Sequence, residues 1–155
     1  MPLGEHLSII NFMEYRHGSH SLYDLKYHLV FCTKYRYRVL TGEVSTRARN
    51  LIREVCAANY IDIVSGSMSP EHVHLLISVP PSISLSNSVQ YIKGKSSRKL
   101  FQEFEHLRKR YWGQHLWARG YFAVTVGNVN QEEVQRYLEQ QEAHHKKDDF
   151  RISEY

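Results

Sequence analysis

Short stretches of the chain alternate apolar and polar positions, and longer ones repeat apolar residues three and four apart. Leu25, Tyr27, Leu29 and Phe31 mark a first strand. Thr41 is placed to cap a helix whose inner stripe is Val44, Ala48, Leu51, Ile52 and Val55. Residues 60–68, "YIDIVSGSM", read as a second strand, and Ser69-Pro70 turns the chain into a third. Ser84 opens a second helix with Leu85, Val89, Ile92, Ser96 and Leu100 facing inward. "YFAVTV" at 121–126 is a fourth strand, broken by Gly127. Asn130 and Glu133 then resemble a capping box that starts a last helix, whose inward stripe is Val134, Tyr137, Leu138 and Gln141. Residues 1–20 carry no pattern and read as an arm, and 105–119 read as a basic, aromatic loop.

The order β-α-β-β-α-β predicts an α+β protein with a ferredoxin-like, four-stranded antiparallel sheet, helices on one face and an additional C-terminal helix. The expected division is an arm over 1–20, one domain over 21–145 and a tail over 146–155. This architecture serves many unrelated activities, so function must come from particular residues.

The third strand carries the least ordinary of these. In "SPEHVHLLISVP" (69–80), Val73, Leu75, Ile77 and Val79 share one face, and His72, His74, Leu76 and Ser78 share the other. The two imidazoles stand about 6–7 Å apart at the backbone, close enough to converge on one ion. By itself a His-x-His strand reads as a surface or hydrogen-bonded pair, and a metal site needs a further ligand. On the last helix Tyr137 and Gln141 lie one turn apart, and a glutamine buried there needs a partner.

At 155 residues, 42% hydrophobic and 23% charged, the chain suits one globular domain. No apolar run is long enough to span a membrane and no signal-peptide pattern opens the chain, so the expected compartment is the cytoplasm. Cys32 and Cys56 lack metal-type spacing and read as buried free thiols. A net charge of +4, a pI near 9.1 and 11 tyrosines favour a polyanion whose bases can stack. Candidate nucleic-acid contacts fall in basic, aromatic stretches: Arg16 and His17; Lys34, Tyr35 and Arg36; Lys93, Lys95 and Arg98; Arg108, Arg110 and Trp112, with Arg119 closing the loop. "GKSS" at 94–97 imitates a phosphate-binding loop, but Val89 stands where its first glycine belongs, and the stretch lies within a helix.

Taken together and in order, "PEHVHLLISVPP", "KGKSSRKLFQEF", "LWARGYFAVTVGNV" and "YLEQQ" resemble the single-tyrosine HUH transposases of the insertion-sequence 200/605 type. The resemblance spans roughly residues 15–145. It implies that His72, His74 and Gln141 hold a divalent ion, Mg2+ or Mn2+, and that Tyr137 is the nucleophile. It also implies single-stranded DNA with imperfect hairpins as substrate, a 5′-phosphotyrosine intermediate, and a homodimer with the tyrosine supplied in trans. Glu71, where the family as often has Asp, is not among the implied ligands. The alternatives are a domesticated HUH nickase acting on repeat hairpins and a non-catalytic nucleic-acid binding module. A zinc hydrolase is disfavoured because no carboxylate or cysteine completes the ligand set.

Overall fold

Among the described residues, each stretch with a clear period forms the element it predicts. The computed structural model describes residues 15–127 together with Glu132 and Glu139, and Arg16–Val126 form one compact unit within it. Its elements are β1 (Arg16–His17), β2 (Leu22–Tyr23), β3 (Lys26–Cys32), α1 (Gly42–Ala58), β4 (Asp62–Met68), β5 (His72–Ser78), α2 (Leu85–Glu103), α3 (Glu105–Arg110) and β6 (Phe122–Val126). The main sheet has the order β4-β5-β3-β6, with every neighbouring pair antiparallel. This is the ferredoxin-like arrangement expected from the sequence. The expected final helix, with Tyr137 and Gln141, and the expected tail lie outside the described residues.

One face of the sheet is closed by the helices. Leu29 and Phe31 of β3 and Val73, Leu75 and Ile77 of β5 meet Val44, Ala48, Leu51, Ile52 and Val55 of α1 and Val89, Ile92 and Leu100 of α2. Burying each of the larger of these side chains contributes about 1.5–3 kcal/mol. A Cβ on Gly66 of β4 would come within 2.9 Å of Leu75 Cδ2, so a larger residue there would push the Leu75 side chain aside. Ser84 caps α2 as expected, its Oγ accepting from the Asn87 N–H at 3.1 Å. Thr41 occupies the cap position of α1, but its hydroxyl makes no capping bond.

Three expectations need correction. Arg16–His17 pairs with Leu22–Tyr23 as a small ribbon, where the sequence read as irregular up to residue 20. Within the expected loop at 105–119, Glu105–Arg110 forms α3. Leu107 and Tyr111, one turn apart and buried, anchor it among charged neighbours that hide the period. Cys56 is buried, and burial pushes its thiol pKa up to about 12, but Cys32 is only half-buried. Cys32 lies on the open face of the sheet, opposite His72. Among the described residues no helix is long and apolar enough to cross a membrane.

Candidate functional site

The sheet's other face carries the histidines. In antiparallel pairing, directly opposed residues share a face. Cys32 opposes His72, Val30 opposes His74 and Phe122, and His28 opposes Leu76 and Val124. His74 and Phe122 are exposed, whereas His72 and His28 are half-buried. Both strands that bear these imidazoles are internal to the sheet, so hydrogen bonds on both sides fix their backbones.

The turn before β5 is tied down. Glu71 O accepts from the Thr33 N–H at 2.9 Å, Leu40 N–H donates to Pro70 O at 2.9 Å, and Ser69 N–H donates to His72 O at 2.9 Å. The Glu71 side chain extends this control to the first histidine. His72 Nδ1 donates to Glu71 Oε1 at 3.1 Å, and Arg38 Nη1 donates to Glu71 Oε2 at 3.2 Å. The bond from His72, and then the charge of Arg38, hold the Glu71 carboxyl below the usual carboxylate range. A proton kept on Nδ1 leaves the lone pair of His72 on Nε2, the arrangement in which carboxylate-backed histidines bind metals. Sequence reasoning passed over this role of Glu71.

It also passed over His28. His28 Nδ1 lies 3.2 Å from His74 Nε2, with the rings tilted by 43° and their centroids 5.4 Å apart. Strand period puts His28 on the open face, but only the register of β3 against β5 makes it a diagonal neighbour of His74. Neutral imidazoles fit a divalent ion that accepts nitrogen, and they suit Mn2+ better than the oxygen-seeking Mg2+. Among the described residues no three His, Cys, Asp or Glu side chains form a complete metal-holding group. Gln141 and Tyr137 lie outside the described residues.

The basic residues divide into two groups. Lys34, Arg98, Arg108 and Arg119 line a groove of about 1170 Å³ between α2 and residues 113–121, together with Phe101, Trp117 and Tyr121. Tyr35 and Trp112 are 68% and 87% exposed, and the Tyr35 ring also meets the Lys34 ammonium, 5.3 Å from its centroid. Their backbones, like that of Arg36, adopt left-handed φ values of 62°, 53° and 54°, which are costly for residues with a Cβ.

Other cations are committed to the fold. Arg16 pairs with Asp62 at 3.3 Å and donates to Ser78 O and Tyr60 O at 3.0 and 2.8 Å. Lys93 lines the groove, but its ammonium is turned onto the carbonyls of Ala118, Arg119 and Gly120 at 2.6, 3.3 and 3.3 Å. Burial lowers its pKa. Arg110 lies over the Tyr37 ring at 4.0 Å. His17 is exposed on β1 and Lys95 is half-buried on α2. His115 also lines the groove, a contribution sequence reasoning missed because the residue is isolated in its stretch.

Comparison with known proteins identifies the class. Residues 21–141 match the family of IS200-like transposases. The chain is 35% identical over 129 residues to the ISDra2 transposase TnpA of Deinococcus radiodurans, covering 83% of this chain and 92% of that one. It is 34% identical over 123 residues to the transposase for insertion sequence element IS200 of Salmonella typhimurium, covering 79% of this chain and 80% of the relative. A crystal structure of a candidate transposase from Deinococcus radiodurans superposes with a TM-score of 0.67 at 34% identity, covering 81% of this chain and 97% of that one. The chain belongs to the IS200-like transposase family, and its role is in DNA transposition.

Proposed function

We propose that the protein cuts and rejoins single-stranded DNA at insertion-sequence ends, using Tyr137 as nucleophile beside the open histidine face. The carrying observation is the placement of His72 and His74 on one exposed face of an internal strand, with Glu71 holding the first imidazole. Membership of a transposase family over residues 21–141, a range that takes in Tyr137 and Gln141, supports the same reading.

In this reading His72, His74 and Gln141 hold Mg2+ or Mn2+. The bound ion supplies charge stabilisation to the phosphate and leaves the nucleophile to the protein. The Tyr137 oxygen attacks phosphorus, a new tyrosyl P–O bond forms, and the bond to the 3′-oxygen breaks. The phenol loses its proton and the departing 3′-oxygen gains one. Because one phosphodiester replaces another, the 5′-phosphotyrosine conserves the bond for rejoining and no nucleotide energy source is needed. Imperfect DNA hairpins are the recognised feature. Phosphates lie along the groove lined by Lys34, Arg98, Arg108 and Arg119, and unpaired bases stack on Tyr35 and Trp112.

The working form is a homodimer in which each tyrosine serves the partner's histidines. Complementation tests this. A Tyr137→Phe subunit is paired with a His72→Ala/His74→Ala subunit, and the heterodimer is purified through two tags. In the trans arrangement one of its two sites is intact, so it cuts hairpin DNA at about half the wild-type rate while both parent homodimers are inactive. A heterodimer as inactive as its parents contradicts the trans arrangement. Wild-type cutting that persists at full rate in a chelator contradicts the metal.

A further inference from the structure

We propose that Phe122 is a platform on which a nucleobase flanking the scissile phosphate stacks, so that single-stranded DNA lies in a fixed place over the histidines. The proposal rests on the reading of the histidine face as the place of cutting. It goes beyond that reading by naming the residue that orients the DNA there.

Sheet register puts the ring in position. Val30 of β3 opposes His74 on one side and Phe122 on the other, so the three residues form one row across the open face. Neighbouring strands lie about 4.8 Å apart, which sets the backbones of His74 and Phe122 about 10 Å from each other. A nucleotide whose phosphate lies at the imidazoles can bring its own base, or the adjoining one, over the ring. Ala123 packs against the core, so its neighbours Phe122 and Val124 turn to the open face.

The fold itself leaves this ring unused. A sheet face in water normally carries polar residues, yet Phe122 is 61% exposed on it. Among the described residues, Trp117 meets Phe31 edge-on and Tyr111 lies between Tyr37 and Phe101, whereas Phe122 meets no other ring. What lies on either side of it points to DNA as the occupant. Tyr121, the preceding residue, lines the basic groove, and Phe122 shares its face with the histidines. DNA running from the cations of the groove to the imidazoles crosses the sheet edge at these two aromatics. Every base has a π-face, so such a platform holds single-stranded DNA whatever its sequence. Phe122 positions the substrate and does not read it.

The test uses the full chain and hairpin oligonucleotides from the element's end, with 2-aminopurine placed in turn at each nucleotide flanking the cleavage position. In a chelator, where binding is read without cutting, wild type should quench the probe at one flanking position. Phe122→Ala and Phe122→Leu should lose that quenching, and Phe122→Trp should keep it. With Mn2+ present, Phe122→Ala should lower kcat/KM for cutting by about 5–150-fold, the scale of one stacked base. An abasic site at the quenched position should slow wild type by the same factor and Phe122→Ala no further, since both changes delete one contact. Losses that add, or quenching that survives in both Phe122→Ala and Phe122→Leu, overturn the proposal. So does a changed oligomeric state in Phe122→Ala, which makes the ring a contact between protein chains. Unchanged cutting by His72→Ala/His74→Ala contradicts the reading of the histidine face instead, and the quenching, which needs no cutting, is judged apart from it.

Discussion

The open face of β5 and the groove beside α2 both present polar side chains, but they are built differently. On β5 the imidazoles are held: His72 by Glu71, which Arg38 backs, and His74 by His28 across the strand pair. Around the groove the cations that could meet a ligand, such as Arg98 and Arg119, are exposed, while Lys93 is spent on three backbone carbonyls. Bond-making chemistry needs donors fixed to fractions of an ångström, whereas phosphate attraction tolerates mobile side chains. In the function proposed above, the first region sets the rate of cutting and the second sets affinity.

The largest separation comes from the histidines. His72→Ala/His74→Ala should lower strand cleavage by about a hundredfold or more, the scale of losing charge stabilisation in a transition state. Hairpin DNA affinity in gel shifts should stay within about threefold, as expected when phosphate contacts elsewhere dominate binding. The groove should respond in the opposite sense. Arg98→Ala/Arg108→Ala/Arg119→Ala should weaken binding and make the salt dependence of log K shallower by about 0.7 per lost phosphate contact. Cleavage at saturating DNA should change little. A histidine variant that loses affinity, or a groove variant that loses rate at saturation, breaks the comparison.

A smaller effect sharpens the division among the cations themselves. Lys93→Met removes a half-buried clamp on residues 118–120 and should cost about 1–3 kcal/mol in denaturant unfolding, the range for hydrogen bonds to a charged group. Lys95→Met, half-buried on the same helix, removes no such clamp and should stay within about 0.5 kcal/mol of wild type. Equal effects at the two lysines contradict the structural role given to Lys93.

What the sequence made legible follows from which features are local. The alternation of Leu29 and Phe31, the stripe from Val44 to Val55 and the cap at Ser84 each depend on neighbours in the chain, and all appear in the fold. The shared face of His72 and His74 is likewise a consequence of strand period. Features that depend on pairing were hidden. His28 meets His74 only through the register of β3 on β5, and β1 exists only because Arg16–His17 finds Leu22–Tyr23. Helix α3 was missed because Leu107 and Tyr111 are its buried anchors among charged residues. Charge alone could not tell Lys93, which faces carbonyls, from Arg98, which faces the groove.

Mapping the covalent product shows whether Tyr137 works beside the histidine face. Wild type is incubated with a single-stranded hairpin substrate and Mn2+, digested with protease and nuclease, and the DNA-bearing peptide is sequenced by mass spectrometry. The expected product is a 5′-linked nucleotide on Tyr137, absent in Tyr137→Phe and in His72→Ala/His74→Ala. An adduct on another residue, or cut DNA that carries free 5′-phosphates and no attached protein, contradicts it.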